Sequence, residues 1–102
     1  MYEILDSQRQ AISQSCRRYG VLRLDLFGSA MGDDFKPDES DLDLLVEFEP
    51  MEPYARVDAY FGLPEELRTL LNSKIDLVVT GAVRNSYIVH EIERTRQVLY
   101  AA

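Results

Sequence analysis

The stretch Asp41-Leu-Asp-Leu-Leu-Val-Glu-Phe48 constrains the fold more than any other part of the chain. Leu42, Leu44, Val46 and Phe48 fall at every second position, with Asp41, Asp43, Leu45 and Glu47 between them. Side chains alternate across a strand, so the pattern predicts a strand with one apolar face and one largely acidic face. Asp41 and Asp43 leave that acidic face together, about 6–7 Å apart along the strand. Two carboxylates so placed repel each other unless something positive lies between them.

The flanking sequence supplies partners for such a strand. Ile4, Leu5, Ala11, Ile12, Cys16 and Tyr19 recur at helical spacing and predict a helix over 3–19, stopped by Gly20. Val21 to Phe27 predicts a first strand with Leu22, Leu24 and Leu26 on one face. A polar, turn-rich stretch from Ala30 to Ser40 then reads as a loop, and Pro50 and Pro53 close the second strand. A second helix is expected over 54–72, with Leu67, Leu70 and Leu71 inward and Pro64 as a kink or break. A third strand is expected over 74–79, a turn at Thr80-Gly81, a third helix over 84–94 and a short last strand over 97–100. Strands alternating with helices in 102 residues predict one domain over 1–102, of mixed α/β (α+β) class.

Composition narrows the function. With 46% apolar and 28% charged residues the chain reads as globular, and its single cysteine rules out a disulfide framework. No apolar run approaches the roughly 20 residues of a transmembrane helix, and the N-terminus has no leader pattern, so an intracellular, soluble protein is expected. The net charge of −7 argues against direct nucleic-acid binding through the phosphate backbone. Between Met31 and Glu52, nine of 22 residues are acidic and only Lys36 is basic. Such a cluster needs solvent or a cation.

Two acids of that cluster, Asp41 and Asp43, and one beyond it, Asp76, stand out. Asp76 lies in Ile75-Asp-Leu-Val-Val, among apolar neighbours, where an acid costs stability unless it is paired or coordinated. If its strand adjoins the second strand, Asp41, Asp43 and Asp76 converge, and three carboxylates around a small cavity suit Mg2+. Gly28-Ser29 ends the first strand, where a glycine admits a phosphate to the backbone and a hydroxyl with free amides binds anions. A calcium loop counted from Asp41 fails, because Leu45 and Val46 fall where a ligand and a glycine are required. No Gly-x4-Gly-Lys-Ser/Thr phosphate loop is present. The remaining acids of the cluster read as solvated charges, Cys16 as a buried hydrophobe, His90 as a residue on a helix surface or packed beside Ile92, and Asp25 as a strand acid paired with a base such as Arg23 or with a partner group.

The run Leu26-Phe-Gly-Ser-Ala-Met-Gly-Asp-Asp-Phe-Lys-Pro-Asp-Glu-Ser-Asp-Leu-Asp-Leu-Leu-Val-Glu-Phe-Glu-Pro50 resembles the signature of the minimal nucleotidyltransferases, a branch of the DNA polymerase β-like superfamily. Lys74-Ile-Asp-Leu-Val-Val79 resembles that family's third-acid strand, and Val98-Leu-Tyr100 its C-terminus. Eleven residues separate Gly28-Ser29 from Asp41, one more than is usual there, and no basic residue follows Ser29 until Lys36. The resemblance implies a small mixed sheet flanked by helices and the transfer of AMP from ATP to a hydroxyl. Asp41 and Asp43 would hold two Mg2+ ions, Asp76 would join one of them and help deprotonate the acceptor, and Gly28 and Ser29 would hold the triphosphate. It further implies an antitoxin whose acceptor is a tyrosine of a HEPN-type toxin, in the cytoplasm. An antitoxin acting by binding alone, or transfer to a small-molecule hydroxyl, are the alternatives. The chain is short for enclosing its own acceptor, so a partner protein or a homodimer is expected to complete the site.

Overall fold

A computed structural model describes residues 8–28, 42–82 and 85–102. Ile4 and Leu5 of the first expected helix, and the expected loop over 30–40, lie outside them. The elements are α1 (Arg9–Arg18), β1 (Val21–Phe27), β2 (Leu42–Phe48), α2 (Pro53–Leu71), β3 (Ile75–Val79), α3 (Ser86–Thr95) and β4 (Gln97–Ala101). The strands form one sheet in the order β3-β2-β1-β4. β1 runs antiparallel to β2 and to β4, whereas β2 and β3 are parallel. Parallel neighbours need a crossover connection, and α2 provides it. The expected mixed sheet flanked by helices is the observed architecture.

The alternation in β2 sets the layers. Leu42, Leu44, Val46 and Phe48 are buried on one side of the sheet, against Ile12 and Cys16 of α1 and Ala59, Leu63, Leu67 and Leu71 of α2. Each leucine fully removed from water contributes about 1.5–3 kcal/mol, and this side carries most of them. Burial pushes the Cys16 thiol up to about 12, so it packs as an inert hydrophobe. On the opposite side, α3 buries only Ile92 against Phe27 and Leu45, with Val78 beside them.

Two expectations are corrected here. In β1, Val21 rather than Leu22 joins the main core: two residues of β1 advance against one of β2 between Val21 and Arg23. That bulge hands the inward position to the preceding residue. Of the kink or break expected at Pro64, the break does not occur: α2 runs through it for 19 residues. Leu63 and Leu67 beside it are both fully buried, which outweighs the roughly 3 kcal/mol that an interior proline costs.

The two helices on the closed side are joined by a polar cluster. Ser15, itself buried, donates to Glu66 Oε1 at 2.8 Å, and the Arg18 guanidinium pairs with the same oxygen. Tyr19 donates its hydroxyl hydrogen to Glu66 as well, which raises the tyrosine's pKa. Its ring lies so close to α2 that a Cβ on Gly62 would stand 2.7 Å from Tyr19 Cε1.

Candidate active site

The partly covered side of the sheet carries the charged groups. β1 places Asp25 and Phe27 there, β2 places Asp43 and Leu45, and β3 places Asp76 and Val78, because each pair is two residues apart on its strand. In the parallel β2–β3 register Asp43 lies abreast of Asp76, and in the antiparallel β1–β2 register it lies opposite Phe27. Neighbouring strands are about 4.8 Å apart, so the two carboxylates leave adjacent backbones side by side. They open into a cleft of about 370 Å3 lined by Phe27, Gly28, Asp43, Asp76, Val78, Tyr87, Ile88 and Glu91.

Gly28 is fixed by its neighbours. Its φ of +78° belongs to the left-handed region, and a Cβ there would sit 2.7 Å from Asp43 Oδ2. No other residue type meets both conditions without strain. The glycine of the Gly-Ser pair is therefore shaped by the carboxylate of the Asp-x-Asp pair across the strand boundary. Its N–H donates to Thr95 Oγ1 at 2.9 Å.

Asp25 is fully buried yet satisfied: Arg23 Nε donates to its two oxygens at 3.0 and 3.1 Å, and Arg96 Nε donates at 2.9 Å. The expected Arg23 partner is present, and Arg96 adds the second cation that a buried carboxylate needs. This triad ties the end of α3 to β1 and lies outside the cleft lining.

A family model described as nucleotidyltransferase domain matches residues 9–99. The chain belongs to that family. This nucleotidyltransferase is 36% identical over 91 residues to a protein from Methanocaldococcus jannaschii that bears the name protein adenylyltransferase, covering 89% of each chain. A solved structure described as a minimal nucleotidyltransferase superposes with a TM-score of 0.74 at 28% identity, over 93% of this chain and 92% of that one. The antitoxin in a complex with a tri-AMPylated HEPN toxin from Shewanella oneidensis shares the fold, with a TM-score of 0.62 at 20% identity over 96% and 73% of the two chains. The fold is that of a minimal nucleotidyltransferase, and the class of reaction is nucleotidyl transfer.

Of the residues singled out in the sequence of this nucleotidyltransferase, Gly28, Asp43 and Asp76 meet around one cleft; Ser29 and Asp41 lie outside the described residues. Among the described residues no three His, Cys, Asp or Glu side chains gather as a metal site. Asp76 is not the desolvated acid that its apolar neighbours suggest. Its side chain is exposed, so its apolar neighbours impose no desolvation cost. Ile75, Leu77 and Val79 turn to the core and Asp76 away from it, on a strand at the edge of the sheet.

Tyr87, Ile88, Glu91 and Thr95 were not singled out by sequence. They lie on α3, nearly 60 residues or more beyond Gly28, and only the return of β4 alongside β1 brings that helix over the cleft. The polar cap Asn85, which accepts from the Tyr87 and Ile88 amides at 2.9 and 3.4 Å, fixes where α3 begins.

Proposed function

We propose that this nucleotidyltransferase moves AMP from ATP onto a tyrosine hydroxyl of a HEPN-type toxin encoded with it. The observation that carries the reading is the placement of Asp43 and Asp76 abreast on β2 and β3, with the left-handed Gly28 backbone against the Asp43 carboxylate. The name carried by the Methanocaldococcus jannaschii relative and the AMPylated toxin bound to an antitoxin of the same fold support it.

The donor set fits magnesium. Carboxylate oxygens on adjacent strands, at the wall of an open cleft, suit a hard dication that keeps water and substrate phosphates among its ligands. Asp41, Asp43 and Asp76 would hold two Mg2+ ions, which would neutralise triphosphate charge and acidify the acceptor hydroxyl.

The chain's own residues do the rest. Gly28 lets the backbone pass close to the triphosphate, and Ser29 offers a hydroxyl to it. Asp76, exposed on an edge strand, accepts the proton of the incoming tyrosine. The tyrosine oxygen bonds to the α-phosphorus, the bond from that phosphorus to the β-phosphate bridge breaks, and pyrophosphate leaves. Phe27, Val78 and Ile88 supply the apolar part of the wall. The acceptor protein, entering through the open side, excludes the remaining water.

The test is transfer of label from ATP labelled on its α-phosphate to the product of the neighbouring gene, with Mg2+, by wild-type protein and by Asp43→Asn and Asp76→Asn. The wild type is expected to label a tyrosine of the partner and the variants to lose it while still folding. Partner binding and neutralisation with no label in any sample would overturn the reading in favour of an antitoxin acting by binding alone.

A further inference from the structure

One hydroxyl holds the glycine of the Gly-Ser pair in place. In the antiparallel register of β1 and β4, Leu26 faces Gln97, so the same register extended by two residues sets Gly28 abreast of Thr95. At Thr95 the chain is still helical. A helical carbonyl points along its own axis and cannot continue the ladder to Gly28. The Thr95 side chain takes its place: Oγ1 accepts the Gly28 N–H at 2.9 Å and donates its own hydrogen to the Glu91 carbonyl at 2.7 Å. A hydroxyl has one hydrogen, and Glu91 uses it, so a lone pair is left facing Gly28.

We propose that Thr95 is a positioning residue for the nucleotide: through the Gly28 amide it fixes where the chain leaves β1, and so holds the glycine backbone against Asp43. The inference rests on the proposed nucleotidyl transfer and names a residue of that site that touches no substrate. It also assigns the Gly28 N–H to the protein rather than to the triphosphate. Glu91 sits on both sides of the arrangement, since its carbonyl anchors Thr95 and its residue lines the cleft, so α3 and the end of β1 move as one piece.

Thr95→Val keeps the shape and removes the acceptor, whereas Thr95→Ser keeps the acceptor and removes a methyl group. Two readouts are taken on the full chain with Mg2+: steady-state transfer of labelled AMP, and hydrogen exchange at the Gly28 amide. In Thr95→Val the KM for ATP is expected to rise about five- to tenfold with kcat within about twofold, as for a lost contact worth one partly buried hydrogen bond. The Gly28 amide loses its protection in that variant. Thr95→Ser restores both. Wild-type KM in Thr95→Val, a fall in kcat at unchanged KM, or failure of serine to restore KM each overturn the inference while leaving the nucleotidyltransferase reading standing. Wild-type protein that neither binds nor transfers nucleotide overturns both readings.

Discussion

The two sides of the sheet are built on opposite terms. The side under α1 and α2 is closed: four alternate residues of β2 meet two helices, and even its polar members, Ser15 and Glu66, are paired. The side under α3 is half open and carries Asp25, Asp43 and Asp76, of which Asp25 alone is fully buried and held between two arginines. Stability is concentrated where one set of alternate residues points and the proposed chemistry where the other points. Because the two sets share a backbone, the side with the proposed site inherits rigidity from the closed one while Asp43 and Asp76 stay open to the cleft.

Substitutions that separate the sides test this division. Asp43→Asn is expected to reduce AMP transfer by more than about 100-fold, beyond what is typical for residues that merely support a metal ligand, while urea unfolding shifts little. Leu44, its neighbour on the same strand, should behave inversely. Leu44→Ala removes a fully buried side chain and is expected to cost about 3 kcal/mol in urea denaturation, with near-normal ATP affinity in the fraction that remains folded. If both variants lose stability alike, the division between the sides is wrong.

Gly28 is where the two sides meet, and a change there should register on both readouts. Gly28→Ala places a side chain in a left-handed conformation and against Asp43 Oδ2. About 1–2 kcal/mol of stability should go, together with most of the transfer activity. Loss of activity at wild-type stability would mean that the backbone relaxes out of the left-handed region.

The smallest effect belongs to the closed side and concerns pH. Burial pushes the Glu66 carboxyl up, but hydrogen bonds from Ser15 and Tyr19 and the charge of Arg18 outweigh it, and the net effect is a carboxyl below its ordinary 4.5. A carboxyl lower in the folded state than in the unfolded one contributes fully above the ordinary value, and the contribution is lost as pH falls through the folded value. Glu66→Gln should therefore destabilise slightly at neutral pH and narrow its gap to wild type in acid unfolding monitored below pH 4.5. A gap that widens in acid would contradict the assignment.

The strands were legible because each carries its own pattern. β2 follows its alternation from Leu42 to Phe48, and β4, expected over 97–100, runs Gln97–Ala101. Two of the misreadings share a cause, which is that local rules were overruled by packing. Leu22 lost its core position to a bulge set by pairing with β2, and Pro64 was carried through a helix by the leucines on either side. Asp76 was singled out because its neighbours are apolar, but its own strand turns it outward.

The sequence by itself determined which residue types could do chemistry and on which face of their strands they stand, since alternation is a property of one strand alone. It also tied Gly28 to a turn and, through the run from Leu26 to Pro50, to a family whose model matches residues 9–99. Only the tertiary structure decided that Asp43 and Asp76 lie abreast, that Gly28 is a glycine because of Asp43, and that Thr95 answers its amide. Those relations join residues 15 to 67 positions apart, and distance along the chain leaves no local pattern for them. They exist because β2, β3 and β4 choose their neighbours in a sheet, a choice made by the burial of the opposite face.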